Sequence, residues 1–70
     1  MKFKFKTGDK IVIPDGYKLQ NFKGNYSDTY TVLSCYYDRL HGVEWVEFYV
    51  GHAKYTYPVQ AFDLVGDKND

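Results

Sequence analysis

The chain is poor in cysteine and proline. Cys35 stands alone, and Pro14 and Pro58 are the only prolines. One thiol cannot close an internal disulfide, and it excludes a Cys-rich zinc ribbon. Net charge is missing too, because nine Lys and Arg offset nine Asp and Glu. That balance argues against a dedicated duplex-DNA binder, which shows basic excess, and against an acidic DNA mimic. No apolar run approaches the roughly 18 residues of a spanning helix, and the N-terminus lacks the apolar stretch of a signal peptide. Seventy residues support one small core, so a single soluble, cytoplasmic domain is expected.

Chemistry-bearing patterns are equally scarce. The six glycines are scattered singly and form no phosphate-binding loop. His41 and His52 fall in expected turns, and with Cys35 they match no metal-ligand spacing. Cys35 lies within a strand-like run and reads as a small packing residue, not a nucleophile. Glu44 and Glu47 are three apart, which in a strand places them on opposite faces and argues against paired carboxylates. No enzyme activity, cofactor or metal is expected.

Aromatic residues are what the chain has in excess, at 20% of its length: eight Tyr, five Phe and one Trp. Large rings fill a thin β core, and strands favour aromatic and β-branched side chains. A core this small cannot hold fourteen rings, so several tyrosines should be exposed. Exposed tyrosines suit recognition, being large, rigid and amphipathic.

The periodicities read as all-β. Residues 1–6 alternate Lys2, Lys4 and Lys6 with Phe3 and Phe5, a half-buried strand. Thr7-Gly8-Asp9 is a turn, residues 10–13 are a short apolar strand, and Pro14-Asp15-Gly16 breaks it. Residues 17–28 form a long polar loop with Leu19, Phe22 and Tyr26 as anchors. Strands are expected over 30–37 and 43–50, joined by 38–42, with Val46, Phe48 and Val50 pointing inward. A turn at 51–54, a strand at 55–57, one helical turn at 58–61 and a strand at 62–65 complete the domain. The domain spans 1–66 and an acidic tail 67–70.

Three segments carry a resemblance: Thr7-Gly8-Asp9-Lys10-Ile11-Val12-Ile13, Tyr30-Thr31-Val32-Leu33, and the stretch from Tyr57-Pro58 to Val65. Their order resembles an SH3-like small barrel, in the wide sense that includes KOW-type domains, over residues 6–66. The resemblance implies a single five- to six-stranded barrel with one short helical turn before the last strand. It also implies binding of peptides, RNA or other proteins. The chain departs from peptide-binding SH3 domains in lacking the Ala-Leu-Tyr-Asp-Tyr opening. It also lacks their acidic loop, since residues 17–28 hold Lys18 and Lys23 against Asp28. Fold alone does not define function.

Charge divides along the chain: six Lys face three Asp in residues 1–35, and three basic residues face six acidic ones in 36–70. The Lys2, Lys4, Lys6 face reads as a solvated strand edge protected against aggregation, or as a basic strip beside exposed tyrosines. The expected function is a small non-enzymatic protein-interaction module, an accessory protein of bacterial, phage or mobile-element kind. The alternative is a weak single-stranded RNA or DNA binder. Candidate contacts are Tyr17, Phe22 and Tyr26 as rings and Lys4, Lys6 and Lys23 as cations. A protein partner is expected, with the chain a monomer or a homodimer paired along an edge strand.

Overall fold

The computed structural model describes residues 3–65. Lys2 and the acidic tail lie outside the described residues. Among the described residues five strands form: β1 (Lys10–Val12), β2 (Thr29–Asp38), β3 (Val43–Val50), β4 (Ala53–Pro58) and β5 (Asp63–Leu64). They make one antiparallel sheet in the order β4-β3-β2-β1-β5. A single 3-10 turn, Val59–Ala61, precedes β5. The all-β expectation is met. In this order β4 and β5 are the two edges, so the hydrogen-bonded sheet is open and not a closed barrel.

Strand β2 belongs to both halves of the sheet. Thr29, Tyr30 and Thr31 pair with β1, and from Val32 onward the strand pairs with β3. A bulge lies between Val32 and Ser34, so Leu33 is the extra residue. An extra residue reverses the facing of everything beyond it. Tyr30 and Val32 therefore point into the core before the bulge, while Cys35, opposite buried Val46, does so after it. Tyr36, opposite Trp45, is turned to the outer face.

Alternation in β3 places Val46 and Phe48 in the core with no exposure, and Val50 packs against it. Phe5, Ile11, Val32 and Phe62 complete its centre. Strand β4 is longer at both ends than the expected 55–57, because Gly51 opens a tight turn in the left-handed region (φ 61°). Such a turn lets strands pair immediately on both sides. Pro58 ends β4 with extended backbone, and Phe62 N–H closes the 3-10 turn on Val59 O at 3.1 Å.

The expectation of a strand over residues 1–6 fails for the described part, 3–6, which has no strand. Both sides of β1 are taken by β2 and β5, and residues 3–6 are held by other contacts, Lys4 backbone N–H to the Glu44 carboxylate and Lys4 Nζ to Phe62 O, not by a ladder. The segment instead folds back on a turn in which Asp9 N–H donates to Lys6 O and Lys6 N–H to Asp9 Oδ2. Only Phe5 is buried, and Phe3 is exposed. The Lys–Phe edge expected to pair with a second copy is therefore not a strand edge.

Candidate functional site

The loop from Tyr17 to Asp28 has no regular backbone pairing, so its peptide groups need other partners. Local turns and the Asn25 side chain satisfy some of them, and four tyrosine hydroxyls supply others. Tyr26 Oη accepts from Leu19 N–H at 2.9 Å and donates to Leu19 O at 3.3 Å. Tyr30 Oη accepts from Asn25 N–H at 3.0 Å and donates to Asn25 O at 2.7 Å. Tyr55 Oη accepts from Lys23 N–H at 3.2 Å, and Tyr57 Oη donates to Gln20 O at 2.7 Å. Burial pushes the Tyr30 and Tyr57 phenols above the usual tyrosine value, so they remain protonated.

Phe22 is the plug beneath this arrangement. Its ring meets Tyr26, Tyr30, Tyr55 and Tyr57 edge-on at 5.2–6.0 Å between centroids, and Phe48 at 6.3 Å. Edge-to-face contacts of this kind add to simple burial. Gly24 must be glycine here, because a Cβ would lie 2.5 Å from Phe22 Cζ and 2.9 Å from Tyr30 Oη.

The braced loop forms one wall of a groove of about 430 Å³. Residues 17–21 make that wall, Trp45, Thr56, Tyr57 and Pro58 line the sheet side, and Gln60 and Ala61 close it with the 3-10 turn. Trp45 is directly opposite both Tyr36 on β2 and Pro58 on β4. Directly paired residues share a face, so Tyr36, Trp45 and Pro58 form a continuous apolar row across three strands. Glu47, next on the same face of β3, accepts from Ser34 Oγ at 2.9 Å.

Of the six candidate contacts Tyr17, Phe22, Tyr26, Lys4, Lys6 and Lys23, Tyr17 alone lines this groove, beside Lys18 of the same loop. Phe22 is half-buried and enclosed by rings, which gives it a packing role. Tyr26 exposes part of its ring beside a separate hollow near Val12–Asp15, while its hydroxyl is held by Leu19. Lys23 is exposed and outside the groove. Lys4 Nζ donates to Phe62 O at 3.1 Å and lies over the Phe5 ring, and the Lys4 backbone N–H donates to Glu44 Oε2 at 2.7 Å. Lys6 reaches the Asp9 carboxylate at 3.8 Å. The structure does not gather these lysines around the tyrosines.

Trp45 and Pro58 were missed by sequence reasoning. A signal existed: Trp45, the one tryptophan, sits on the β3 face that also carries Glu47, where a core role is excluded. Tryptophan on an outward face is the residue type most enriched at binding hot spots.

Other chemistry is confined to single groups. Among the described residues, no three of His, Cys, Asp and Glu gather as metal ligands. Cys35 is half-buried, and burial, aided by Glu44 and Asp9, pushes its thiol up and away from the reactive thiolate. His41 Nδ1 lies 2.7 Å from Asp38 Oδ2, and this contact holds the Asp38 carboxyl below the usual carboxylate range. No helix among the described residues is long and apolar enough to cross a membrane. Compared with known proteins, the chain matches no family model, and neither a curated protein nor a solved structure is similar to it. Its fold and groove define a small all-β protein with a preorganised aromatic cleft.

Proposed function

We propose that this protein is a non-enzymatic interaction module of SH3-like barrel type, whose groove beside Trp45 receives an extended segment of a partner protein. The observation that carries this reading is the Tyr36–Trp45–Pro58 row running into a cleft whose opposite wall is already ordered. Preorganisation lowers the ordering cost of binding, and aromatic anchors supply most of its free energy. The strand order, the bulged β2 shared between two sheet halves and the 3-10 turn before β5 support the barrel-type assignment.

A single-stranded nucleic acid is less well served, because among the described residues Lys18 is the only cation lining the groove. Selection of a random peptide library on the intact protein tests the proposal, with Trp45→Ala as counter-target. Enriched peptides that bind the parent protein and lose at least about tenfold in affinity on Trp45→Ala are expected, as for a central aromatic anchor. No enrichment, or equal retention by Trp45→Ala, overturns the groove assignment.

A further inference from the structure

The charge of the groove is one-sided, and this narrows what it can take. Lys18 is the only ionisable side chain of full charge among its lining residues. Among the described residues it has no carboxylate partner, in contrast to Lys6, which has Asp9. The other polar side chains of the lining are the amides of Gln20, Asn21 and Gln60 and the hydroxyls of Tyr17, Thr56 and Tyr57, the last already donating to Gln20 O. Their N–H and O–H groups can donate to a carboxylate or to a peptide carbonyl. Asn21 adopts the left-handed region (φ 60°) where the wall that carries Lys18 turns. Glu47, opposite Thr56 on the same sheet face, accepts from Ser34 Oγ and does not line the cleft.

We infer, resting on the groove reading above, that the partner segment is an apolar stretch flanked by Asp or Glu, not by Lys or Arg. Its apolar side chains lie on Trp45 and Pro58, and its carboxylate meets the Lys18 ammonium at the loop wall. A nucleic-acid strand is also anionic. It brings a phosphate with every nucleotide, however, and would meet one cation in a molecule of zero net charge.

The test is a titration of the full chain, followed by its backbone amides and the Trp45 indole N–H in two-dimensional nuclear magnetic resonance. Three peptides share a Pro-Leu-Pro core and carry Glu, Gln or Lys on both flanks, and an oligo-thymidine strand is the fourth ligand. The Glu peptide should bind about threefold to fivefold more tightly than the Lys peptide at low salt, the size of an exposed ion pair, and the gap should narrow with added salt. Lys18→Glu should reverse that order, while the Trp45 signal still moves with both peptides. The Lys18 side chain is exposed and makes no bond among the described residues, so the variant should keep the parent spectrum elsewhere. Equal binding of the Glu and Lys peptides, or an order unchanged by Lys18→Glu, overturns the inference and leaves the groove standing. Failure of every peptide to move the Trp45 signal overturns the groove itself. Tighter binding of oligo-thymidine at the same residues overturns the peptide assignment in favour of a nucleic-acid strand.

Discussion

The loop of residues 17–28 and the turn of residues 39–42 are both irregular, yet they are held in opposite ways. The turn is local. Asp38 alone organises it, accepting from Leu40 N–H at 3.0 Å and His41 N–H at 3.3 Å through its carboxylate, while its carbonyl accepts from Gly42 N–H at 2.7 Å. The long loop is held from outside by Tyr30 on β2 and Tyr55 and Tyr57 on β4, and from within by Tyr26 and Phe22. The outcomes differ accordingly: the loop buries Leu19, whereas the turn leaves Leu40 88% exposed. The long loop is thus tied to the core through Phe22, and the short turn is held locally by Asp38.

That contrast can be broken most severely at Phe22. Phe22→Ala should cost about 3 kcal/mol, near the low end for a phenylalanine because the ring is only half-buried. Urea unfolding followed by tryptophan fluorescence measures it, and a loss below about 1 kcal/mol would show that the loop is held without its plug.

Tyr30→Phe probes the hydroxyl braces with the ring kept in place. It should cost about 1–2 kcal/mol, because Asn25 N–H and C=O lose their partner in a partly buried site. The same phenol makes stability fall in alkali. Its value in the folded protein lies above the usual 10.0, so the unfolded chain loses its proton first and stability declines as pH rises past 10. Tyr57 acts in the same direction. The decline should be shallower in Tyr30→Phe, and parallel pH profiles for the two proteins would refute the assignment.

The smallest effect is expected at Asp38. A depressed carboxyl stabilises the fold above its unfolded value, near pH 4, and that contribution is lost as pH falls through the lower folded value. Asp38→Ala should speed amide exchange at Leu40 and His41, whose acceptor is the carboxylate, and remove the acid dependence of their protection, with exchange in residues 17–28 unchanged. Faster exchange in the long loop as well would mean that the two segments are not independent.

Legibility followed the same division. Strand β3 was readable to its ends because alternation over Val43–Val50 reports a face wherever a neighbour strand exists on both sides. Identical alternation at Lys4, Phe5 and Lys6 misled, since period two describes where side chains would point but supplies no partner for the backbone. The tyrosine excess was visible, and the exposure expected of it is found for only part of the set. Tyr17, Tyr36, Tyr37 and Tyr49 are exposed, while Tyr30, Tyr55 and Tyr57 turn their hydroxyls to the loop. Tyr26 does both. Nothing in a tyrosine's immediate neighbours separates a brace from a contact.

By itself the sequence determined the all-β class, the position of the 39–42 turn and the inward face of β3. These depend on residues close together in the chain, where steric preference and hydrophobic period act directly. Only the tertiary structure decided the reversal of facing at Leu33, the union of Trp45 with Pro58, and the capture of Gln20 O by Tyr57 across 37 residues. Each of those needs two distant segments to meet, and the register in which they meet is settled by packing of the whole core.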